Sequence, residues 1–301
     1  MNDFINDLKR KYQAGNICIR FIYINVAVFL ATTLFSIALQ LFNQNGFFLL
    51  RYAELPASIS TFLLQPWSLF TYMFMHADLL HILFNMLWLY WFGELFLNRF
   101  SSKHFRGVYL LGGVIGGAFY LSAYNLFPYF QSYIGTSMLV GASASVLAIA
   151  IAAAMSDPER PMNFLFIGAV RLKYVALIMI AMDLLFITSD NAGGHWAHLG
   201  GALAGWLFAW GIRNGKFDAT SWINTPLDAI SRLFSSSSSS SRTKKPKMTV
   251  NFGGRSKDYE YNARKKAEDD EIDRILDKVK QSGYAGLTAQ EKQKLFDACK
   301  K

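Results

Sequence analysis

A few polar residues lie in otherwise apolar stretches of this sequence. VGASASVL, Val140 to Leu147, offers two hydroxyls, Ser143 and Ser145. AHLGGALAG carries His198, and HILFN carries His81 and Asn85. A serine hydroxyl is a weak nucleophile until a neighbouring base removes its proton. A neutral imidazole can take that proton and later return it to a leaving amine. His81 and Asn85 are four apart and so share a helix face one turn from each other. Two donors converging there suit a developing oxyanion. Helix-to-helix hydrogen bonding explains the pair equally well. Asp183 and Asp190 lie in or near an apolar run, but nothing in the sequence sets either against His198. The expected unit is therefore a serine–histidine dyad without a carboxylate.

The elements that must hold these residues are apolar and long. Of the 301 residues 52% are hydrophobic and 17% charged, and the mean hydropathy of +0.21 is too high for an ordinary soluble domain with a polar tail. A bilayer core takes roughly 20 apolar residues per helix. Six stretches qualify: 18–42, 79–98, 105–126, 138–155, 172–188 and 193–212. The charged start, MNDFINDLKRKYQAGN, followed by a long run without a convincing cleavage site, reads as a membrane helix rather than a signal peptide. Cys18 and Cys299 lie at opposite ends and offer neither a disulfide framework nor a metal cluster.

The net charge of +9 is placed unevenly. Lys9, Arg10, Lys11 and Arg20 flank the first stretch, and Arg99, Lys103 and Arg106 follow the second. Arg160, Arg171 and Lys173 follow the fourth, and Arg213 and Lys216 follow the sixth. The opposite loops hold only Arg51 among basic residues. The positive-inside rule then puts both termini in the cytoplasm, and the basic excess needs no nucleic acid to explain it. His104 falls in one of these cytoplasmic loops. Residues 43–78 form a long aromatic-rich loop, expected to lie partly in the membrane interface with Tyr52, Trp67 and Tyr72 at headgroup level.

The spacing of small residues predicts one close seam. Gly194, His198, Gly201 and Gly205 share a face of the sixth stretch. Gly141, Ala142, Ala144, Ser145 and Ala148 form a small face on the fourth. Glycines on membrane helices let another helix approach closely. Packing accounts for the glycines but not for a histidine in the middle of the seam.

HILFN, GAS and AHLGG, on the second, fourth and sixth stretches in that order, resemble the rhomboid family of intramembrane serine proteases. The resemblance covers about residues 17–213 and extends to the long first loop. It implies an all-α, polytopic six-transmembrane-helix bundle. It also implies Ser143 as nucleophile and His198 as general base. His81 and Asn85 match the oxyanion-binding side chains, joined by the Ser143 backbone N–H. His76 and His195 match positions often polar in the family, and no catalytic role transfers to them. Ser145, about 200° round the helix from Ser143, is expected to be a packing serine bonded back to its own helix. Three positions depart from the family pattern. Ala144 stands where Gly is usual after the nucleophile, Ser68 where Arg often follows Trp67, and Leu147 where many members have an aromatic.

The resemblance implies cleavage of transmembrane segments of membrane-protein substrates, with no cofactor and no metal. The alternative is a catalytically inactive rhomboid-like protein that binds or escorts membrane proteins, although such relatives typically lack the serine or the histidine. His76, His81, His195 and His198 could bind zinc, but no HExxH is present. GASAS lacks the second Gly of G-x-S-x-G, which argues against an α/β-hydrolase. The expected organisation is a cytoplasmic N-terminal segment 1–16, a membrane domain 17–213, a Ser-rich basic linker 214–256 and a small cytoplasmic helical hairpin 257–301. In that hairpin AEDDEIDRILDKVK reads as one helix, stopped by Gly283, and TAQE as a capping box opening another. The tail is either a site for a cytoplasmic partner or a solvated appendage. The other expected partners are the lipid bilayer and transmembrane substrates, in a bacterial inner (cell) membrane.

Overall fold

The computed structural model describes residues 6, 10, 12–44, 50–164, 168–235, 274–275, 277–279 and 286–299. The chain divides into two compact units, Met1–Ser237 and Ser238–Lys301. In the first unit helices form at all six apolar stretches. They are α1 (Ile17–Leu41), α4 (Leu79–Leu97), α5 (Ser102–Leu126), α6 (Ser143–Ser156), α7 (Leu172–Leu185) and α8 (Ala192–Arg213). By length and composition, α1, α4 and α5 can cross a membrane. Helices α6 and α7 have 14 residues each, about 21 Å at the usual rise per residue.

The fourth stretch differs from its expectation of a helix over 138–155. It opens as an extended strand, turns at Gly141 and becomes helical only at Ser143. Gly141 has φ +125°, which a residue with a side chain rarely adopts. A Cβ there would also lie 2.8 Å from Nε2 of His81. The break therefore needs glycine for both its backbone and its neighbour.

Two short antiparallel ladders add to the expected all-helical fold. β1 (Leu55–Pro56) pairs with β2 (Met138–Leu139), Leu55 opposite Leu139, and so ties the first loop to the segment before α6. β3 (Pro161–Phe164) and β4 (Gly168–Arg171) make a hairpin between α6 and α7. The first loop also carries α2 (Ile59–Leu64) and α3 (Ser68–Thr71). Its side chains hold it by bonding backbone carbonyls. Gln65 Nε2 donates to Arg51 O and Glu54 O, Trp67 Nε1 to Tyr52 O, and Thr71 Oγ1 to Ala53 O. Tyr72 does not sit at headgroup level as expected. It is buried, and its hydroxyl donates to Gly113 O at 2.7 Å.

Helix α6 is the centre of the bundle. Its residues from Ala144 to Ala154 are all buried, as an all-round apolar helix requires. Helices α5 and α8 close on it through glycines. A Cβ on Gly201 would lie 2.2 Å from Ala144 O, and one on Gly205 would lie 2.2 Å from Ala148 O. On the α5 side, a Cβ on Gly112 would meet Ala148 Cβ at 2.5 Å, and one on Gly116 would meet Ala144 Cβ at 2.6 Å. Ala144, the departure from the family's usual glycine, is thus accommodated because Gly116 and Gly201 facing it have no side chains.

Residues 221–235, inside the stretch read as a linker, form α9 (Ser221–Ser235), which packs on α5. The serine run from 236 on and the following RTKKPK lie outside the described residues. In the second unit 274–275 and 277–279 are helical, and α10 spans Ala289–Cys299. The capping box forms: Thr288 N donates to Glu291 Oε2 at 2.7 Å and Glu291 N to Thr288 Oγ1 at 3.4 Å. The other residues of the helix expected over 267–280, and Gly283, lie outside the described residues.

A methyl group at the α6–α8 seam would force two backbones apart. Gly201→Ala is expected to cost at least about 2 kcal/mol, in the range of overpacked cores. Gly135→Ala, where an added Cβ meets nothing within 4 Å, is expected to be neutral. Thermal unfolding of both variants in one detergent checks this; equal midpoints would contradict the seam.

Candidate active site

Ser143 is the first residue of α6, after Ala142 at the cap position. A helix leaves its first N–H groups without partners inside the helix. The first backbone bond of α6 runs from Val146 N to Ala142 O, so the Ser143, Ala144 and Ser145 amides precede the helical ladder. They also lie at the positive end of its dipole. A carbonyl oxygen gaining negative charge beside Ser143 would meet donors already oriented.

The seam sets the hydroxyl against the imidazole. Ser143 Oγ is 2.7 Å from His198 Nε2. On its other edge, His198 Nδ1 is 2.7 Å from Asp183 Oδ1, on α7. This corrects the expectation of a dyad: a buried carboxylate stands behind the base. The same Oδ1 is 2.8 Å from His195 Nδ1. Each imidazole meets this acceptor through Nδ1, so each Nδ1 carries a proton towards it. That leaves Nε2 of neutral His198 as the atom able to accept from Ser143. A carboxylate buried in an apolar helix is costly without partners, and two N–H donors to Asp183 reduce that cost.

The sequence signal for Asp183 was incomplete rather than absent. His195 and His198 are three apart, so both rings project from one face of α8. Asp183 is the lone acid within α7. What the spacing lacked was the rotation of α7 about its own axis, which tertiary packing decides. Asp190 goes elsewhere, to a polar cavity also lined by His81, Asn191, Gly193 and Gly194.

Asn85 and His81 approach Ser143 from α4. Asn85 shares a cavity of about 540 Å³ with Ser143, Asp183 and His198. Its Nδ2 donates one hydrogen to His81 O at 2.9 Å, leaving the second for a ligand. His81 stands on the polar side, with Nε2 against Gly141. Its Nδ1 accepts from Ala77 N at 3.4 Å, which assigns the ring proton to Nε2. His76 Nδ1 and Nε2 are buried with no hydrogen-bond partner among the described residues. Its ring centre is 5.2 Å from that of His81.

The larger cavity is apolar beyond its catalytic end. Phe84 and Trp88 of α4, Val175, Ile178, Met179 and Met182 of α7, and Phe164 and Val170 of the β3–β4 hairpin line it. Leu147, the departure from the family aromatic, lines it too and is buried. Ser145 is also buried, but its Oγ points to Met73 Sδ at 3.9 Å rather than back to its own helix as expected. Ser68, where the family often has Arg, is buried, and its hydroxyl has no partner among the described residues.

The four histidines weighed as zinc ligands do not form one cluster. Among the described residues, the donor atoms within 4.8 Å of one another are those of Asp183, His195 and His198. These three could ligate a cation, but only by giving up the two hydrogen bonds that Asp183 accepts.

The Rhomboid domain family model matches residues 63–215. A family of unknown function, DUF6576, matches residues 255–301. A curated relative, RHOMBOID-like protein 12, mitochondrial, of Arabidopsis thaliana, is 32% identical over 161 residues, 50% of this chain and 47% of the relative. The chain therefore spans about half the length of that relative.

If Asp183 orients His198, Asp183→Asn should slow reaction of Ser143 with a fluorophosphonate by at least about 10²-fold, since the amide favours the wrong tautomer. A rate unchanged in a folded variant would return the site to a dyad.

Proposed function

The chain belongs to the rhomboid family, and on that footing we propose that it is an intramembrane serine endopeptidase. The observation that carries the reading is the line of three groups, Ser143 Oγ to His198 Nε2 and His198 Nδ1 to Asp183 Oδ1, at 2.7 Å each. It lies within an integral membrane protein built largely of apolar helices. In this reading all six helices α1, α4, α5, α6, α7 and α8 span the bilayer. The distribution of Lys and Arg supports cytoplasmic termini.

The reaction uses the chain's own groups. His198 Nε2 takes the Ser143 proton as Oγ attacks the scissile carbonyl, while Asp183 steadies the imidazolium through Nδ1. Asn85 Nδ2, His81 Nε2 and the Ser143 amide donate to the oxyanion. Losing one such donor typically costs about 10²–10³ in rate. The imidazolium protonates the leaving amine, and an acyl group remains on Ser143. Water then attacks that ester with His198 as base again, and Ser143 recovers its proton. The polar cavity beside His81 and Asp190 supplies the aqueous side of the site.

Substrates in this reading are transmembrane segments that unwind easily, since a regular helix hides its carbonyls in hydrogen bonds. Gly or Pro and small residues near the cut weaken the helix there. The apolar cavity between α4 and α7 suits the hydrophobic chain next to the scissile bond.

The test is cleavage of a model transmembrane substrate by the full chain in vesicles, with products mapped by mass. The wild type is expected to cut near one membrane face and Ser143→Ala not at all. Cleavage that persists in Ser143→Ala would remove the assignment to Ser143, and activity abolished by a strong chelator would favour a metal mechanism. A folded wild type that captures such segments without cutting any would favour the binding or escort alternative.

A further inference from the structure

Helix α9 is mounted with its polar side towards the protein. Asn224 is buried, and its Nδ2 donates to Lys103 O at 3.0 Å. Arg106 donates to Asn224 Oδ1 at 2.9 Å and to Asp228 Oδ1 at 2.7 Å. Lys103 Nζ lies 2.7 Å from Asp228 Oδ2. Hydrogen bonds from Lys103 and Arg106 hold the Asp228 carboxyl below the usual carboxylate range. The contact is tight: a Cβ on Gly107 would lie 2.3 Å from Thr220 Cβ and 2.6 Å from Asn224 Nδ2.

The opposite side of α9 is apolar and open. At 100° per residue, Trp222, Ile223, Pro226, Leu227, Ala229 and Ile230 form one arc facing away from Asn224 and Asp228. Trp222 is 85% exposed and Ile230 50% exposed. In water this orientation would be backwards, because a helix docked on a protein normally buries its apolar stripe. It makes sense if the medium outside is itself apolar.

Position supports this. Residues 220–228, Thr220 and the first half of α9, engage residues 103–107 of α5. That is about 12 Å of one chain segment along about 6 Å of the other, so α9 crosses α5 rather than running beside it. The contact falls at the first turns of α5 and just beyond the end of α8. Lys103 and Arg106 belong to the first turns of α5, Arg213 and Lys216 to the end of α8 and just past it; His104 Nε2, 3.5 Å from Asp218 Oδ2, links the two ends, and Lys216 Nζ stands 4.6 Å from the ring centre of Trp210. Cations and tryptophan together mark a bilayer–water boundary. Phe217 folds back against Gly211 and is partly exposed, so apolar surface continues from α8 towards α9.

We propose that α9 is an interfacial helix: its Asn224–Asp228 side is clamped to the start of α5, and its Trp222–Ile230 side is immersed in the lipid leaflet at which α8 ends. Amphipathic helices of this kind lie in the membrane plane with the apolar face sunk below the headgroups. The clamp to α5 fixes the roll of the helix, so the apolar side keeps facing the leaflet. The inference does not rest on the protease reading.

Nitroxide labels test it in the full-length protein reconstituted in vesicles. Trp222→Cys, Ile230→Cys and Thr225→Cys are each made in a Cys299→Ser background; Cys18 is buried and its thiol bonded to Leu89 O. Thr225 is exposed and lies outside the apolar arc. Collisions with oxygen, which concentrates in lipid, are compared with those of a water-soluble nickel chelate. At 222 and 230 the oxygen-to-nickel ratio is expected to be several-fold above that at 225. Equal ratios at all three sites would overturn the proposal. So would labels at 222 and 230 shielded from both reagents, which would mean that another protein surface covers α9.

Discussion

The close approach of α8 to α6 governs the rest of the molecule. Gly201 and Gly205 lie against the carbonyls of Ala144 and Ala148 at distances that exclude any side chain. Two consequences follow. His198, one turn before Gly201, is carried to hydrogen-bond distance of Ser143. The face of α6 turned to α5 and α8 is also left with no room for bulk, which Ala144, Ser145 and Ala148 respect. Between membrane helices, where lipid offers no hydrophobic drive, such backbone proximity is the main source of attraction. Packing and chemistry thus share the same glycines.

The break at Gly141 is the second constraint. It ends the strand that ties down the first loop and starts α6 at Ser143. A continuous helix over 138–155 would have used the Ser143 amide for its own hydrogen bond. Starting the helix there leaves that amide free and places His81 Nε2 beside the turn. One cavity is polar and lies around His81 and Asp190, and a second, apolar around Trp88 and Met179, holds Ser143 and His198. A reaction that needs both water and a membrane-embedded chain requires two such approaches.

Much of this was legible in the residues. Apolar length gave the positions of six helices, and small-residue spacing gave the seam and the serine–histidine meeting. The four-residue step from His81 to Asn85 gave their shared helix but not their separation onto different cavities. The pairing of Asp183 with His198 was not legible, because an acid in an apolar helix announces itself by type, while its partner depends on how that helix is rolled against α8. The start of α6 was misjudged because periodicity sees 138–155 as uniformly apolar, and only the left-handed turn at Gly141 interrupts it. Tyr72 was placed at the headgroups on residue type, yet its hydroxyl serves Gly113 O inside the bundle. The stretch 214–256 reads as a linker on its serine run and RTKKPK, a composition that starts only after the residues of α9, whose polar side meets Lys103 and Arg106.

The central claim is that the α6–α8 seam activates one serine and leaves its neighbour inert. Intact membranes treated with a fluorophosphonate probe test it directly, comparing the wild type with Ser143→Ala and Ser145→Ala. Labelling is expected of the wild type and of Ser145→Ala, and none of Ser143→Ala. Labelling that survives in Ser143→Ala and disappears in Ser145→Ala would contradict it.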